Sequence, residues 1–475
     1  MNMAVAKHEK WSSGFTFLLA AIGSAVGLGN IWRFPYVVGE NGGGAFVLLY
    51  IGMVILFGIP VVMTELLIGR RYQMSPVNSL AHIGQDKPAR RLWNALGWSY
   101  VLVPIGILSF YGVVAGWTLN YVVKMGSGAL TGVDATTVEN TFNGMMSDPV
   151  VMIFWQTVAM LITMGIVARG VKGGLEKAVE ILMPALFIIL LVLVAYALYA
   201  GDTSKAMDFL FVPDFSKLTG RSVLEAAGQA FFSLSLGSGA IMTYGAYLTK
   251  DISIPKMSCG VAFADTLVAL LAGLAIFPIV FAHGLDPQAG PGLVFVTLPV
   301  VFDGMPFGQL FGILFFLLIT FAAVTSTISL LEPMVSYLEE RVPHMRLKMT
   351  FLAGAVTWAV GVLAALSLNV MSDVKPLGFI QRFADKGVFD LLDYFSANVF
   401  MLLNGLMIAF FAGWVMKRTA LLEELGLEDS GLFKFWRLLI KVVVPIGVGL
   451  IFINFVTEGW LMDSLEGLFN GAMAG

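Results

Sequence analysis

Long runs of apolar residues, separated by short polar segments, dominate the sequence. A helix that crosses a lipid bilayer needs about 20 consecutive, mostly apolar residues. Eleven segments meet this requirement: residues 14–38, 45–70, 92–124, 149–168, 177–200, 222–249, 257–282, 307–340, 347–369, 388–416 and 434–457. The tail from residue 457 to residue 475 is interrupted by glycine and carries two Glu and one Asp, so a twelfth span is not expected.

The composition supports a protein that lies in the bilayer. Hydrophobic residues make up 58% of the chain and charged residues only 12%, whereas soluble domains carry about 25% charged residues. This excludes a soluble globular protein, a disordered chain and a small disulfide-stabilised module. The 52 glycines suit helices that pack closely in lipid. The sequence therefore predicts an all-α polytopic membrane protein.

The remaining polar residues exclude several kinds of partner and chemistry. The net charge is −3 and no basic run is present, so nucleic acid is not an expected partner. Cys259 is the only cysteine, which rules out an intrachain disulfide and a thiolate metal cluster. The sequence contains neither HExxH nor GxSxG, so an intramembrane enzyme is not favoured. Nothing in the pattern requires an oligomer.

The distribution of Lys and Arg predicts the orientation of the chain. With a cytoplasmic N-terminus, nineteen of these residues flank the inner ends of the spans and six lie in outer loops. Positive charge concentrates on the cytoplasmic side of membrane proteins. The apolar stretch after Lys10 continues to Pro35, so we interpret it as a retained first helix rather than a signal peptide. We expect a multi-pass plasma (inner) membrane protein with the N-terminus inside and the C-terminus outside.

Two glycine-rich segments interrupt the first and the sixth predicted span. They read GSAVGLGN (residues 23–30) and FSLSLGSG (residues 232–239). A single segment of this kind usually marks close helix packing. Interrupted helices at matching positions of two halves instead indicate the binding site of a transporter. Released carbonyl groups suit a desolvated hard cation such as sodium, and released N–H groups suit a carboxylate.

The motifs around these breaks resemble the neurotransmitter:sodium symporter family. Residues 11–46 read WSSGFTFLLAAIGSAVGLGNIWRFPYVVGENGGGAF, which is similar to the first helix of that family. Further similar motifs are Gly58-Ile59-Pro60 with Glu65, Tyr111 before Trp117-Thr118, Gly174 with Pro184, FFSLSLGSGAIMTYGAY (231–247), and AAVTSTIS (322–329) before Glu332-Pro333-Met334. The resemblance covers spans one to ten, and eleven spans resemble the bacterial amino-acid transporter branch.

The resemblance implies a leucine-transporter-type fold in a single transporter domain. Residues 14–200 would form the first repeat, with helices 1–5, and residues 222–416 the second, with helices 6–10. The two repeats would be inverted relative to each other, helices 1 and 6 would be broken, and residues 434–457 would add an eleventh helix. Such a protein is a secondary active symporter that works by alternating access.

The resemblance also implies two sodium sites. The first sodium ion would be held by the Ala25 carbonyl, Asn30, Ser233, Asp265 and the carboxylate of the substrate. The second ion would be held by the carbonyl groups of Gly23, Val26 and Ala322 and by the hydroxyls of Thr325 and Ser326. A different interpretation of these two hydroxyls is a hydrogen bond to the preceding helical turn, which is common for Ser and Thr in membrane helices.

The substrate would lie at the midplane, with its carboxylate at the Gly29 N–H and the Tyr111 hydroxyl, and Phe232 would form a lid. Outside this lid, Arg33 and Asp393 would form a charged gate, with Gln229 near them. Intramembrane ionisable residues are costly to bury, which favours a functional role. The residues expected around the substrate are Ala25, Val26, Leu28, Gly29, Ile107, Tyr111, Phe232, Ser235, Ser238, Ser326 and Leu330.

Several positions depart from the family pattern. His8 stands where the family often has an arginine, so its pairing with Glu340 is open. Asp265 stands where an asparagine is usual, and Ala269 replaces a serine or a glutamate one turn later. If the alignment of helix 7 is correct, Asp265 supplies the charge that chloride provides in animal members, and we expect no chloride dependence. For Glu65 and Glu332, hydrogen bonds to broken-helix backbone are the alternative to a functional role.

We therefore predict a sodium-coupled symporter that takes up a neutral, apolar L-amino acid with a bulky or aromatic side chain. Small neutral amino acids or osmolytes remain the alternative substrates within the family. A sodium channel or a receptor is disfavoured, because a channel usually needs a continuous ring of pore-lining groups. No acidic residue stands beside Ala25, where the amine carriers of the family have one, and this favours an amino acid over a monoamine.

Overall fold

The computed structural model describes residues 8–85, 90–285 and 293–457. These residues form helices and connecting loops and contain no β-strand. The predicted absence of a twelfth span concerns the tail, which lies, apart from Thr457, outside the described residues.

Eleven helical segments, called spans 1 to 11 below, correspond to the eleven predicted ones. Nine are single helices long and apolar enough to cross a bilayer, and span 1 is a bent pair of helices. Span 6 consists of two shorter helices. The bounds are Gly14–Ala25 with Gly29–Glu40, Gly44–Tyr72, Arg90–Gly126, Pro149–Val167, Val171–Ala200, Gly220–Ser233 with Ala240–Ala246, Ile254–Ala282, Gly308–Arg341, Arg346–Leu366, Val388–Val415 and Gly431–Val456.

The connecting loops contain short helices that the sequence analysis did not predict. They are too short to cross a bilayer, and a search for long apolar runs passes over them. Their bounds are Pro76–Gly84, Ala135–Ser147, Thr203–Phe211, Val294–Asp303 and Arg418–Leu425.

Span 1 breaks after Ala25 because side chains take over backbone groups that a continuous helix would use. The Gly27 N–H would bond to the Gly23 carbonyl in a helix, but it donates instead to Asn30 Oδ1 over 3.1 Å. The Leu28 N–H donates to the Tyr111 hydroxyl over 3.1 Å. The two halves of the span meet at an angle of 51°. The Gly23 carbonyl is thereby released from its usual helical partner.

Span 6 breaks between Ser233 and Ala240, and buried polar side chains hold the open backbone. The φ angles of Ser235, Gly237 and Gly239 are 53°, 74° and 89°, a left-handed region that non-glycine residues rarely adopt. Glu65 Oε1 accepts a hydrogen bond from the Gly237 N–H over 2.7 Å. This contact agrees with the alternative in which Glu65 forms a hydrogen bond to the backbone of a broken helix. Such a bond is favourable because unpaired backbone groups are tolerated poorly inside a membrane.

Span 2 packs against the second half of span 6 with the two backbones in contact. A Cβ atom on Gly69 would lie only 2.1 Å from the Met242 carbonyl oxygen. A Cβ atom on Gly245 would lie 2.9 Å from the Leu66 carbonyl oxygen. These glycines permit the close approach that small residues give to membrane helices. Span 2 thus carries Glu65 directly to the broken segment.

One end of the bundle, at which span 1 begins, is called the N-terminal face below. The side chain of Trp11 is buried there, and its indole N–H donates to the Tyr244 carbonyl over 3.0 Å. His8 Nε2 lies 2.6 Å from Glu340 Oε1, so the pairing left open above is present, with histidine in place of arginine. These contacts close the N-terminal face.

Glu332 lies at the same face but does not bond to broken-helix backbone. Its Oε1 accepts from the Tyr247 hydroxyl over 2.6 Å, and its Oε2 lies 2.6 Å from Arg346 Nη2. The prediction that Glu332 bonds to the backbone of a broken helix is therefore wrong. Its carboxylate instead pairs with an arginine at the start of span 9. The ion pair joins spans 8 and 9 at the N-terminal face.

Candidate functional site

The breaks of spans 1 and 6 meet at a narrow cavity in the middle of the bundle. Its volume is about 30 Å³, so an amino acid fits only if lining side chains move apart. None of the described side chains that line it carries a charge. The lining residues are Ser24, Ala25, Gly27, Gly29, Ile107, Tyr111, Phe232, Ser235, Ser238, Ser326, Leu330 and Met401.

Nine of the eleven residues expected around the substrate line this cavity, and two do not. Leu28 lies on the other side of Tyr111, in a second cavity, because the Tyr111 hydroxyl holds its N–H. Val26 is buried and absent from the lining of either cavity. Ser24, Gly27 and Met401 were not expected. No sequence pattern indicates that Met401 lines the cavity, since it is one apolar residue among many in span 10.

Gly27 occupies the most crowded position of the cavity. A Cβ atom on this residue would lie 2.7 Å from Ser326 Oγ and 2.9 Å from the Tyr111 hydroxyl. Both distances are shorter than a carbon–oxygen contact allows, so a larger residue would require the side chains of Ser326 and Tyr111 to shift. The Tyr111 hydroxyl therefore lies beside the broken segment of span 1. The carboxylate of a substrate placed there would be close to polar groups.

Three of the expected ligands of the first sodium ion lie within hydrogen-bonding distance of one another. Asn30 Nδ2 donates to Asp265 Oδ1 over 2.8 Å and to Ser233 Oγ over 3.1 Å. The Ser233 hydroxyl in turn donates to Asp265 Oδ2. All three side chains are buried. The structure thus joins residues from spans 1, 6 and 7 in one oxygen-rich cluster beside the cavity.

Tyr50 of span 2 completes this cluster and was missed by the sequence analysis. Its hydroxyl donates to Asp265 Oδ2 over 3.0 Å and lies 3.2 Å from Ser233 Oγ. The ring is fully buried. A single tyrosine in an apolar span carries no distinctive spacing, so only the folded chain reveals its partner. Asp265 therefore accepts from the Asn30 amide at Oδ1 and from the hydroxyls of Tyr50 and Ser233 at Oδ2.

Four of the five expected ligands of the second sodium ion, Gly23, Ala322, Thr325 and Ser326, lie where span 1 contacts span 8. A Cβ atom on Gly23 would lie 3.2 Å from the Thr325 Cβ atom, so the two backbones are close. The hydroxyls of Thr325 and Ser326 donate to the Ala322 carbonyl over 3.1 and 3.0 Å. The bond to the preceding turn is therefore present. It brings both hydroxyls to the carbonyl that was expected to bind the ion with them.

A second cavity, the outer cavity, lies between the central cavity and the face opposite the N-terminal face. Its volume is about 340 Å³. Phe232 and Tyr111 line both cavities, so these two rings separate them. This position agrees with the lid expected at Phe232. Access to the central cavity from the outer one requires the two rings to separate.

The expected gate residues lie in or near the outer cavity, but Arg33 and Asp393 do not form an ion pair within the described residues. Both side chains line the cavity, and the Arg33 guanidinium lies over the Phe232 ring, 4.9 Å from its centroid. Gln229 lies deeper, where its amide donates to the Gly29 carbonyl over 2.8 Å. Arg33 therefore contacts the lid directly, and Gln229 supports the break of span 1.

Comparison with a family model identifies the chain's relatives. Residues 8–144 and 141–462 match the model of the sodium:neurotransmitter symporter family. An uncharacterized sodium-dependent transporter of Bacillus subtilis (strain 168) is 37% identical over 457 residues, which cover 96% of this chain and 99% of the relative. A second, from Haemophilus influenzae, is 35% identical over 455 residues, which cover 94% of this chain and 98% of the relative.

A solved structure confirms the predicted fold class. The crystal structure of MhsT in complex with L-phenylalanine is 42% identical to this chain and superposes with a TM-score of 0.85. The match covers 94% of this chain and 100% of the MhsT chain. At this level of identity the two chains share the arrangement of broken helices and surrounding spans.

We predict that Gly27→Ala abolishes substrate binding, because the added methyl group displaces Ser326 and Tyr111 from the broken segment. Binding should weaken at least tenfold, measured by scintillation proximity or calorimetry on purified protein. Gly52→Ala is the matched control, since a Cβ atom there meets no atom within 4 Å. Equal binding by both variants would show that the contacts of Gly27 do not limit the site.

Proposed function

Because the chain belongs to the sodium:neurotransmitter symporter family, we propose that it imports a neutral, apolar L-amino acid together with two sodium ions and without chloride. Sodium dependence is common to its family and to its named relatives. The observation that carries the finer proposal is the uncharged central cavity beside the buried cluster of Asn30, Ser233 and Asp265.

Two oxygen clusters support a stoichiometry of two sodium ions. The first combines the Asp265 carboxylate with the hydroxyls of Ser233 and Tyr50. The second combines the Ala322 carbonyl with the hydroxyls of Thr325 and Ser326, close to Gly23 of span 1. Hard cations such as sodium prefer oxygen ligands. Binding of an ion at the second site would join the released Gly23 carbonyl to span 8. It would thereby couple the break of span 1 to a helix on the other side of the cavity.

The walls of the central cavity support a neutral substrate. Ile107, Phe232, Leu330 and Met401 are apolar. The hydroxyls of Ser235, Ser238 and Ser326 donate to backbone carbonyls, and none of the described lining side chains carries a charge. A charged substrate side chain would lose its hydration without gaining a partner, at a cost of several kcal/mol. MhsT, whose structure contains L-phenylalanine, shares this fold. An aromatic or bulky aliphatic amino acid is therefore the proposed substrate.

Asp265 supports transport without chloride. Two sodium ions and a zwitterion carry two positive charges into a site from which water is excluded, and an anion must offset part of this charge. Asp265 belongs to the first cluster and is fully buried. Ala269, one helical turn further along span 7, offers no hydroxyl to an additional anion. The fixed carboxylate thus takes the place of a bound halide.

The asymmetry of the two faces supports the expected orientation and transport cycle. Trp11 and the pair His8–Glu340 close the N-terminal face, which carries most of the Lys and Arg residues. The outer cavity lies towards the other face. We propose that the N-terminal face is cytoplasmic and that substrate reaches the central cavity past Arg33, Asp393 and Phe232. Release of the substrate into the cytoplasm then requires Trp11 to move out of its buried position at the N-terminal face.

We expect the double variant Thr325→Val, Ser326→Ala to lose sodium-driven uptake in proteoliposomes, because it removes two oxygens from the second ion site. Thr325→Val alone separates this effect from substrate contact, since only Ser326 lines the central cavity. Thr357→Val is the control, because that hydroxyl also bonds to the preceding turn, over 2.9 Å, but in span 9. Undiminished uptake in the double variant would contradict the assignment of the second site.

The variant Ser238→Phe should shift substrate preference towards smaller amino acids. Ser238 lines the cavity, and a phenyl ring there would fill space that the side chain of the substrate needs. The change is measured by letting unlabelled glycine, alanine, leucine, phenylalanine, tryptophan and glutamate compete with a radiolabelled amino acid that the protein has bound. If glycine or glutamate competes best with the native protein, the proposed substrate class is incorrect and a small or charged substrate replaces it.

Replacement of chloride by gluconate should leave uptake by the native protein unchanged. Asp265→Asn should lose uptake, because the charge of the sodium ions is no longer offset. Adding Ala269→Ser to Asp265→Asn supplies a hydroxyl one helical turn from position 265, and uptake by this double variant should require chloride. A native protein that stops in gluconate would overturn the role of Asp265, while sodium dependence would remain intact.

A further inference from the structure

A long apolar groove lies on the outside of the bundle, between spans 3 and 10. Its volume is about 720 Å³. Three of its side chains are well exposed: Trp98 by 41%, Leu102 by 59% and Phe400 by 43%. The other lining residues are Ala95, Ser99, Val103, Gly106, Pro376, Leu377, Val388, Leu391, Leu392, Phe395 and Ser396. The groove therefore opens towards the region that the acyl chains of the bilayer occupy.

A smaller, polar pocket continues this groove at the N-terminal face. It has a volume of about 160 Å³ and shares Trp98 with the groove. The polar side chains that line it are those of Asn78, Asn94 and Arg341. Trp98 packs edge-on against Tyr337, with ring centroids 5.0 Å apart, and the Arg341 guanidinium lies 5.3 Å from the Tyr337 ring centroid. An aromatic pair thus separates the apolar groove from a cationic pocket.

The part of the groove and pocket that lies along span 3 is as long as one leaflet of a bilayer. Along span 3 the polar pocket begins at Asn94 and the groove reaches Gly106, a rise of about 18 Å at about 1.5 Å per residue. Half of a hydrocarbon core of about 30 Å is about 15 Å. Gly106 precedes Ile107, which lines the central cavity. On span 3 the groove therefore reaches the depth of the substrate site, and on span 10 it continues beyond that depth to Val388.

The charge of Arg341 is not neutralised by its neighbours. Glu339 pairs with Arg346 over 2.8 Å, and Glu340 accepts hydrogen bonds from His8 and Ser75 inside the bundle. Within the described part of the chain, no acidic side chain forms an ion pair with Arg341. Arg90 and Arg91 are exposed one helical turn before Asn94 and Ala95. The pocket thus carries positive charge at the level of the lipid headgroups.

We propose that an anionic phospholipid binds here, with its phosphate at Arg341 and one acyl chain in the groove between spans 3 and 10. Basic pockets between membrane helices near the membrane surface recognise anionic headgroups, and aromatic side chains such as Trp98 and Tyr337 lie at that level. The combination of a long apolar groove with an arginine that forms no ion pair among the described residues selects a lipid over a free anion and over an apolar ligand. This site is independent of the proposed substrate.

The test is a titration of the full-length protein in detergent with dioleoyl phosphatidylglycerol, followed by native mass spectrometry. Arg341→Gln should weaken binding of the lipid about fivefold, the effect expected for one basic residue at an anionic headgroup. Leu102→Trp should also weaken it, because the indole fills the groove at an exposed position that does not disturb the core. Lys434→Gln, at an exposed lysine near the start of span 11, is the control and should bind like the native protein. The melting temperatures of all variants report their folding.

Two further probes distinguish the sources of the ligand. Dioleoyl phosphatidylcholine should bind more weakly than dioleoyl phosphatidylglycerol. Glycerol 3-phosphate, which lacks acyl chains, should not compete with the lipid. Equal loss of binding in Arg341→Gln and Lys434→Gln would reduce the effect to diffuse surface charge and overturn the proposal. Competition by glycerol 3-phosphate would indicate a site for free phosphate. A change in the number of protein chains in Leu102→Trp would assign the groove to a second copy.

Discussion

The structure depends on how polar side chains satisfy the backbone that the two broken helices release inside the membrane. Unpaired N–H and C=O groups are costly where no bulk water is present. Asn30 and Tyr111 accept the N–H groups of Gly27 and Leu28 in span 1. Glu65 and Asn404 bind the N–H and the carbonyl of Gly237 in span 6. Without these partners, continuous helices would be favoured and no central cavity would exist.

The side chains that support the breaks also belong to the candidate ion and substrate sites. Asn30 holds Gly27 with its oxygen and contacts Asp265 with its nitrogen, so one amide links the backbone break to the buried carboxylate. Tyr111 likewise holds Leu28 and separates the central cavity from the outer one. Any ion or substrate that reorders these contacts changes the geometry of the break. This link provides a physical route from ligand binding to helix movement.

The two faces of the bundle are held in different ways. At the N-terminal face, polar contacts of Trp11 and His8 join the first residues to spans 6 and 8, and Glu332 joins span 8 to spans 6 and 9. Towards the other face, Arg33 lies on the Phe232 ring without an ion pair to Asp393 within the described residues, and a larger cavity is present. The lid formed by Phe232 and Arg33 loses fewer contacts when it moves than Trp11 does, because Trp11 must break a buried hydrogen bond. This difference suits access from one side at a time.

The sequence by itself determined the spans, the breaks and most of the cavity lining, because a bilayer requires long apolar runs and each break needs glycine with small polar residues nearby. The motif beginning at Gly23 and the match of Ser233 and Asp265 to one family pattern sufficed to predict the cluster around Asn30. Only the tertiary structure decided the partners supplied by distant spans. Tyr50 and Met401 have no sequence signal, since each is a single residue in an apolar helix whose role depends on the helix it faces. Likewise, Arg33 and Arg341 form no ion pair among the described residues because of packing distances that no spacing along the chain encodes.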